Sequence, residues 1–526
     1  MLNGLKIAPA RVGWIGPLSL SLILKTFLAF QDTVVNSDGV VYIEAARMIA
    51  EGHFSQSLVL YPMPAYPLLI AVVHMVVPDW MLAAKLLSLF AAAAVTIPIY
   101  WLTAFLFDRR AAFYAAMAVA LLPSLNDIAP DVIRDPWFLL LSCGSVYWMV
   151  KACASERIGG VLSAFVIAGA ALLFRIEAIS LFLVYFLYLA GLTLFAKAQR
   201  RFARKALLFL MVPALIGMVG LVGVGATAEG TDRIDQLRAF ARSLLSGRFL
   251  ARYHDVYTQL KESEKLSPGT SGELFKLARH YMPLLYVIGM LEAFFGALFW
   301  PYAAPLWGAR RSLFVKGMPL LILMILFHSL LVLLYFLHID YLSSRYLLFC
   351  ALLAMPMVGL GVAVLADTCK RVRWRKTCLA VMVFVFLVFP LYRSIHRGVG
   401  EDKAIAMAGK WLSGEPELRA VGWAINDLRY YLYAGKPFDY LKEKDEALAI
   451  GRLSVRKDYG ALEDMARQSG KDVIILRDSK RDSVRGSGFN VFRIVKQIES
   501  PQSIITIYAN SRLLKNASGQ SEGSSD

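Results

Sequence analysis

The chain has 526 residues, of which 58% are hydrophobic and only 18% charged, with a mean hydropathy of +0.55. A soluble chain of this length would carry more charge and fewer long apolar runs, so the composition points to an α-helical polytopic membrane protein. The formal net charge of +17 would suggest nucleic acid in a soluble protein. Here the basic residues cluster in short gaps between apolar runs, where they orient helices rather than bind a polyanion.

A membrane-spanning helix needs roughly 20 apolar residues. By that measure the chain offers about eleven candidate spans. They lie near residues 12–30, 81–106, 111–125, 136–150, 158–174, 178–196, 206–226, 281–305, 317–337, 346–366 and 377–393. Basic clusters at Asp108–Arg110, Lys197–Lys205, Ala309–Lys316 and Lys370–Lys376 fall between them. Assigned to the cytoplasm with Lys6, Arg11, Lys151 and Arg157, they let the spans alternate without a break. The first span reads as an uncleaved anchor, because no small-residue cleavage site follows it. Residues 31–80, 126–135, 227–280 and everything after 394 then face the extracytoplasmic side, as expected for a multi-pass membrane protein. The turns at Arg175–Glu177 and His338–Arg345 open to that same side. The five cysteines lie in or beside spans, with no disulfide framework and no metal-ligand spacing.

The first outer loop opens with "NSDGVVYIEAARMIAEGHF", residues 36–54. Val41, Ala45 and Met48 form an apolar stripe opposite Glu44, Arg47 and Glu51, which predicts an amphipathic interfacial helix closed by Gly52. Asp38 stands at its start, as an N-cap or as a rigidly held general base at the lipid–water boundary. "YPMPAYPLLIAVVHMVV" then predicts a second interfacial helix entered through a rigid Pro-rich turn with Tyr61 and Tyr66.

In the short loop 126–135, Asp131, Arg134 and Asp135 sit within about one helical turn of each other. Asp135 before Pro136 reads as a helix start. The cluster caps a span, or it meets a phosphate ester and a hydroxyl-bearing partner at headgroup level. In "ALLFRIEAISLFL", residues 171–183, Arg175 and Glu177 interrupt an otherwise continuous apolar run. Ionisable groups in such a place are costly and default to a functional reading, with a tight turn and snorkelling side chains as the alternative. Arg345 stands at the mouth of a late span, with Tyr341 and Tyr346 at aromatic-belt positions.

Residues 227–280 carry Asp232, Arg238, Arg242, Arg252, His254 and Lys261, on a solvated amphipathic loop or a lid over bound donor. After residue 394 the composition changes. The segment 394–511 predicts a small α/β extracytoplasmic domain, with helices ending at Gly414, Gly435 and Gly470, short strands in "LRAVGWAI" and "KDVIILRD", and a terminal hairpin from "FNVFRIVKQI" and "QSIITIYAN". Residues 512–526 predict a disordered tail.

Four stretches in order, "SDGVVYIEAARMIAEGHF…YPMPAYPLLIAVVH", "RDPWFLLL", "FRIEA" and "SSRYLLFCALLAMP", resemble the GT-C membrane glycosyltransferases. The branch they resemble is the protein mannosyltransferase-like group, including aminoarabinose and lipopolysaccharide-core transferases fed by polyprenyl-phosphate sugars. The resemblance covers roughly residues 12–366. It implies a many-helix membrane fold with two interfacial helices in the first outer loop. It also implies transfer of a sugar from a polyprenyl phosphate to an extracytoplasmic lipid, glycan or protein. Asp38 matches the family's candidate base and Asp135 the acid of its "DP" step. Arg175 matches a basic residue expected near the donor phosphate, and Arg345 matches the arginine of an "RY" motif. Tyr61 and Tyr66 match aromatic positions of the Pro-rich turn, and Tyr42, beside Asp38, joins the binding set. Relatives often read "PPLYP" and "TRPEA" where this chain reads "PMPAYP" and "FRIEA".

The expected chemistry is direct. Polyprenyl phosphate leaves readily; Arg175 and Arg345 neutralise its developing charge, with Arg134 in the binding set. Asp38 takes the acceptor proton while Asp135 orients or assists. One displacement without a covalent intermediate inverts the anomeric carbon. No cofactor or metal is expected, and the partners are donor, acceptor and membrane lipid, not nucleic acid. A transporter or lipid flippase is the alternative class; it should show inverted repeats.

Overall fold

The computed structural model describes residues 13–32, 34–210, 250–267, 270–309, 315, 317–339, 341–371, 373–396, 403–479, 489–501 and 503–514. Packing divides these into two compact units, one within Met1–Ala29, Pro62–Tyr66 and Lys85–Arg397, the other within Phe30–Tyr61, Pro67–Ala84 and Gly398–Asp526.

The first unit is helical. Among the described residues, six helices are long and apolar enough to cross a membrane, and a bent pair, Thr270–His280 with Met282–Leu298, would make a seventh. That is fewer than the eleven or so runs of the sequence. Helices do form at most of the expected places, but several are short: Ile15–Gln31 has 17 residues, Arg109–Ala120 has 12 and Ile158–Leu172 has 15. The expected span at 206–226 lies mostly outside the described residues.

Ser344–Arg371 is the hub, with 83% of its apolar window buried inside the protein. Thr96–Leu106, Arg109–Ala120, Met282–Leu298 and Ala303–Gly308 pack around it. Small residues permit the close approaches, as is usual where helices have no water to drive them together. A Cβ at Gly361 would run into the backbone of Pro305. The rim is the reverse. Ile176–Phe195, Met318–Ile339 and Arg375–Ile395 bury only 33%, 28% and 11% of their windows, and their exposed Phe195, Leu326 and Phe384 are what a lipid-facing surface requires.

The first helix holds a charge that its hydropathy hides. Lys25 is fully buried, and its Nζ donates to Asn126 Oδ1 (2.7 Å) and Ser21 Oγ (2.9 Å). Asn126 Nδ2 in turn donates to Ser394 Oγ at 3.0 Å. This polar network ties the first helix to the short helix Pro123–Ile128 and to the last span.

The second unit contains the first-loop helices and the C-terminal α/β fold. Ser37–Ala50 is followed by Gly52 at φ +84°, a conformation only glycine adopts freely. Its buried face runs through Val40, Tyr42, Ile43, Ala45 and Ala46, while Val41 and Met48 are half-buried; more than the expected stripe is covered. A further helix, Phe54–Leu60, precedes the Pro-rich turn, and the second expected helix forms at Ala65–His74.

The C-terminal sheet has strands β1 (Trp423–Ile425), β2 (Val473–Ser479), β3 (Phe492–Glu499) and β4 (Ser503–Asn510), in the order β1-β2-β4-β3. β1 and β2 are parallel, and β4 is antiparallel to both its neighbours, with a register shift between Ile494 and Lys496. Val473 and Ile475 enter one core with helices Lys403–Ser413 and Arg429–Ala434; Ile474 and Leu476 enter a second with Tyr440–Arg456 and Tyr459–Gln468. Covered on both faces, β2 needs an unbroken apolar run rather than an alternating one. The strand expected in "LRAVGWAI" is shorter, because Pro416–Ala420 is helical. The helix Tyr440–Arg456, with Asp439 as its side-chain cap, is an addition to the expected set. Of the tail, the residues to Leu514 form a helical turn and the remainder lies outside the described residues.

Candidate active site

In the membrane unit, Ile158–Leu172 ends and the chain reverses through Arg175 (φ −145°, ψ 133°) into a short 3-10 turn, Ile176–Ala178. The reversal delivers Arg175 to the start of the neighbouring helix Asp135–Ser155. Arg134, not Asp135, is that helix's N-cap residue, and Asp135 is its first helical residue. The expectation that Asp135 serves as a cap is therefore corrected: its carboxylate pairs with Arg175 Nη1. Arg175 Nη2 donates to Glu177 Oε1 at 2.5 Å.

Arg175 and Asp135 are only 6% and 7% exposed. Burying such charges is tolerable because each is neutralised by its neighbour. One donor remains unspent: Arg175 Nε–H has no hydrogen-bond partner among the described residues. Nor has the indole N–H of Trp137, whose ring stacks on Phe174 at 5.8 Å. Buried donors left unpaired cost about 1–3 kcal/mol each.

Arg345 joins this cluster through an aromatic ring. Arg175 and Arg345 lie 5.3 Å and 5.7 Å from the ring centroid of Tyr346, and Arg175 is also 5.7 Å from that of Phe138. Cation–π contact with one ring brings the two like charges near one another. Behind them, His328 braces three segments, its Nδ1 at 3.1 Å from Ser180 Oγ and its Nε2 at 3.3 Å from the Tyr346 carbonyl. Arg134 adds charge from the other side: it acts electrostatically on Glu177, and its Nη1 lies 2.9 Å from Met63 Sδ.

The structure thus brings Asp135, Arg175, Arg345 and Arg134 into one neighbourhood, with Glu177, Tyr346, Phe138 and His328 as supporting groups. Glu177 is expected in the turn, with a functional reading shared with Arg175, and Tyr346 is expected at an aromatic-belt position. The signal for Tyr346 was its place directly after Arg345. Nothing in the sequence marked His328 or Phe138. Tyr66 is wholly buried, its hydroxyl 2.7 Å from Ser88 Oγ, which also accepts from the Ile133 amide.

In the second unit, Asp38 lies in the first turn of Ser37–Ala50 and is exposed. Asn36 is the N-cap residue, without a side-chain cap bond, so the capping reading of Asp38 is corrected. Burial first, and then the Asp38 charge, push the Tyr440 phenol up to about 12. Tyr42 and Tyr61 meet edge to face, ring centroids 5.0 Å apart. Glu44, bonded by Arg47 at 3.3 Å, is held above the ordinary carboxyl range by burial. Of the 227–280 candidates, Asp232, Arg238 and Arg242 lie outside the described residues; the described parts form helices Ala251–Leu266 and Thr270–His280. No cluster of metal-ligating side chains occurs among the described residues.

A family model described as dolichyl-phosphate-mannose-protein mannosyltransferase matches residues 61–222. Among solved structures, the chain is similar to the Archaeoglobus fulgidus oligosaccharyltransferase crystallised with a tethered acceptor peptide containing the NVT sequon. The TM-score is 0.54 at 13% identity, over 89% of this chain and 69% of that one. It is also similar to ArnT from Cupriavidus metallidurans bound to undecaprenyl phosphate, with TM-score 0.51 and 13% identity over 95% of this chain and 98% of that one. No curated protein sequence matches it significantly. At such identities the likenesses speak for the fold. Together with the family match over residues 61–222, they support the GT-C membrane glycosyltransferase fold that the sequence motifs resemble.

Proposed function

We propose that the chain is an inverting glycosyltransferase that moves a sugar from a polyprenyl phosphate to an acceptor on the extracytoplasmic face of a bacterial inner membrane. The observation that carries this reading is the buried Arg175, paired to Asp135 and Glu177 yet keeping one N–H unspent, beside a second arginine on the same Tyr346 ring. The mannosyltransferase match over residues 61–222 supports it.

In this mechanism Arg175 and Arg345 hold the donor phosphate, and their charge grows in value as the glycosidic C–O bond breaks and the electron pair passes to phosphate. The acceptor oxygen or nitrogen forms the new bond to the anomeric carbon from the opposite face. Its proton passes to the Asp38 carboxylate. Asp135 and Glu177 are positioning residues: they fix the guanidinium plane of Arg175 before donor arrives. Arg134 adds positive charge near Glu177. Tyr42 and Tyr61 offer an aromatic edge to the acceptor. We leave Tyr66 out of the binding set, because its ring and hydroxyl are consumed in the core.

The test is turnover by the purified protein of a panel of polyprenyl-phosphate sugars, following release of polyprenyl phosphate. Sugar transfer that depends on Arg175 and Asp38 is expected. Translocation of intact lipid without cleavage would replace this reading with that of a flippase.

A further inference from the structure

Within the second unit, the first outer loop is fastened to the C-terminal fold just before Asp38. Val35 lies three positions before Asp38 and is fully buried. Its N–H donates to the Tyr433 hydroxyl oxygen at 2.7 Å, and its C=O accepts from Arg429 Nη1 at 3.4 Å. Both side chains belong to the helix Arg429–Ala434. Arg429 is itself locked, since its Nε and Nη2 grip Asp427 at 2.9 Å and 2.6 Å. The preceding residue, Val34, is 1% exposed and sits in the C-terminal core with Ile405, Trp423, Tyr430 and Ile475.

Loop backbone normally satisfies itself with water at the surface. Here the two polar groups of one loop residue are taken by two side chains nearly 400 positions away in sequence, 398 and 394 respectively. The arrangement leaves the loop little freedom immediately before the turn that presents Asp38. Gly39 N–H then bonds back to the Asn36 carbonyl at 3.0 Å, which makes that turn tight.

We propose that the C-terminal domain is a positioning element for the acceptor-activating carboxylate: Tyr433 and Arg429 hold Val35 and so set where Asp38 stands. This rests on the reading of Asp38 as the base. The domain is then part of the catalytic apparatus, although it carries no reacting group. A misplacement of about 1 Å costs on the order of 100-fold in rate, so the clamp has room to matter without touching substrate. The charge of Asp38 acting on Tyr440 is a second sign that this domain borders the carboxylate.

Tyr433→Phe tests it in the full-length protein, keeping the ring in the core and removing the hydroxyl that accepts from the Val35 amide. We expect kcat to fall roughly 10- to 100-fold, with KM for the donor and Kd for polyprenyl phosphate unchanged, and faster amide exchange at residues 34–39. Ser454→Ala removes a hydrogen bond of the same domain, to Asp478 at 2.9 Å, and is expected to leave kcat alone. If Tyr433→Phe does not fold, Val34→Ala serves with the same expected fall. Wild-type kcat in the clamp variant, with Asp38→Asn inactive, overturns this inference alone. Wild-type kcat in Asp38→Asn overturns the base reading and this inference with it.

Discussion

In the membrane unit Asp135 and Arg175 are buried and form a chain of ion pairs with the half-buried Glu177, and Arg345 shares an aromatic ring with Arg175. In the second unit Asp38 is exposed on the first turn of a helix, and what is buried is the backbone just before it. The two settings suit different tasks. A phosphate site works by charge arranged in advance in a dry place, where reorganisation would be costly. A proton acceptor must instead be reachable by an acceptor that arrives from water, and it needs position more than burial.

The sharpest way to break that contrast is Asp38→Asn. It is expected to lower kcat by roughly 100- to 10,000-fold while donor affinity holds, measured by turnover and by polyprenyl-phosphate titration. A variant that loses affinity as well would move Asp38 into the phosphate site. Asp135→Asn should do the opposite. Breaking a buried ion pair costs roughly 3–5 kcal/mol; because Glu177 still pairs with Arg175, the lower end is expected, seen as a fall in the melting temperature together with weaker donor binding.

Gly361→Leu asks whether the hub helix alone governs stability. Overpacking against Pro305 is expected to cost about 1–3 kcal/mol, measured by thermal unfolding in detergent, with donor affinity in the folded fraction unchanged. The smallest effect belongs to Tyr346. Tyr346→Leu should weaken donor binding by roughly 0.5–2 kcal/mol through loss of the cation–π contacts, while Tyr346→Phe, which keeps the ring, should bind as wild type.

The sequence made part of this legible. Apolar runs located most of the helices, because a span must be long and apolar wherever it packs. "FRIEA" announced itself because two ionisable residues interrupt such a run, and the Arg175 reversal is where that interruption falls. What escaped were the partners. Asp135 looked like a cap because Asp-Pro starts helices; only tertiary packing reveals that its carboxylate turns to a residue 40 positions on. Lys25 was hidden by the hydropathy of its helix, since a single charge barely changes a window average. Val34 and Val35 fall in the first outer loop, 31–80, and no local pattern tells that a valine there is gripped by Tyr433 and Arg429. The helix Tyr440–Arg456 was missed because its many charges disguise the buried stripe of Ala447, Ile450 and Ser454.

The measurement that bears most directly on the account is the affinity of purified protein for polyprenyl phosphate, wild type against Arg175→Lys. Lysine keeps the charge but not the fork that spans Asp135, Glu177 and a ligand. The account predicts binding weaker by roughly 10- to 100-fold in the lysine variant, with Asp38→Asn binding as wild type. Equal affinity in Arg175→Lys and wild type would contradict it.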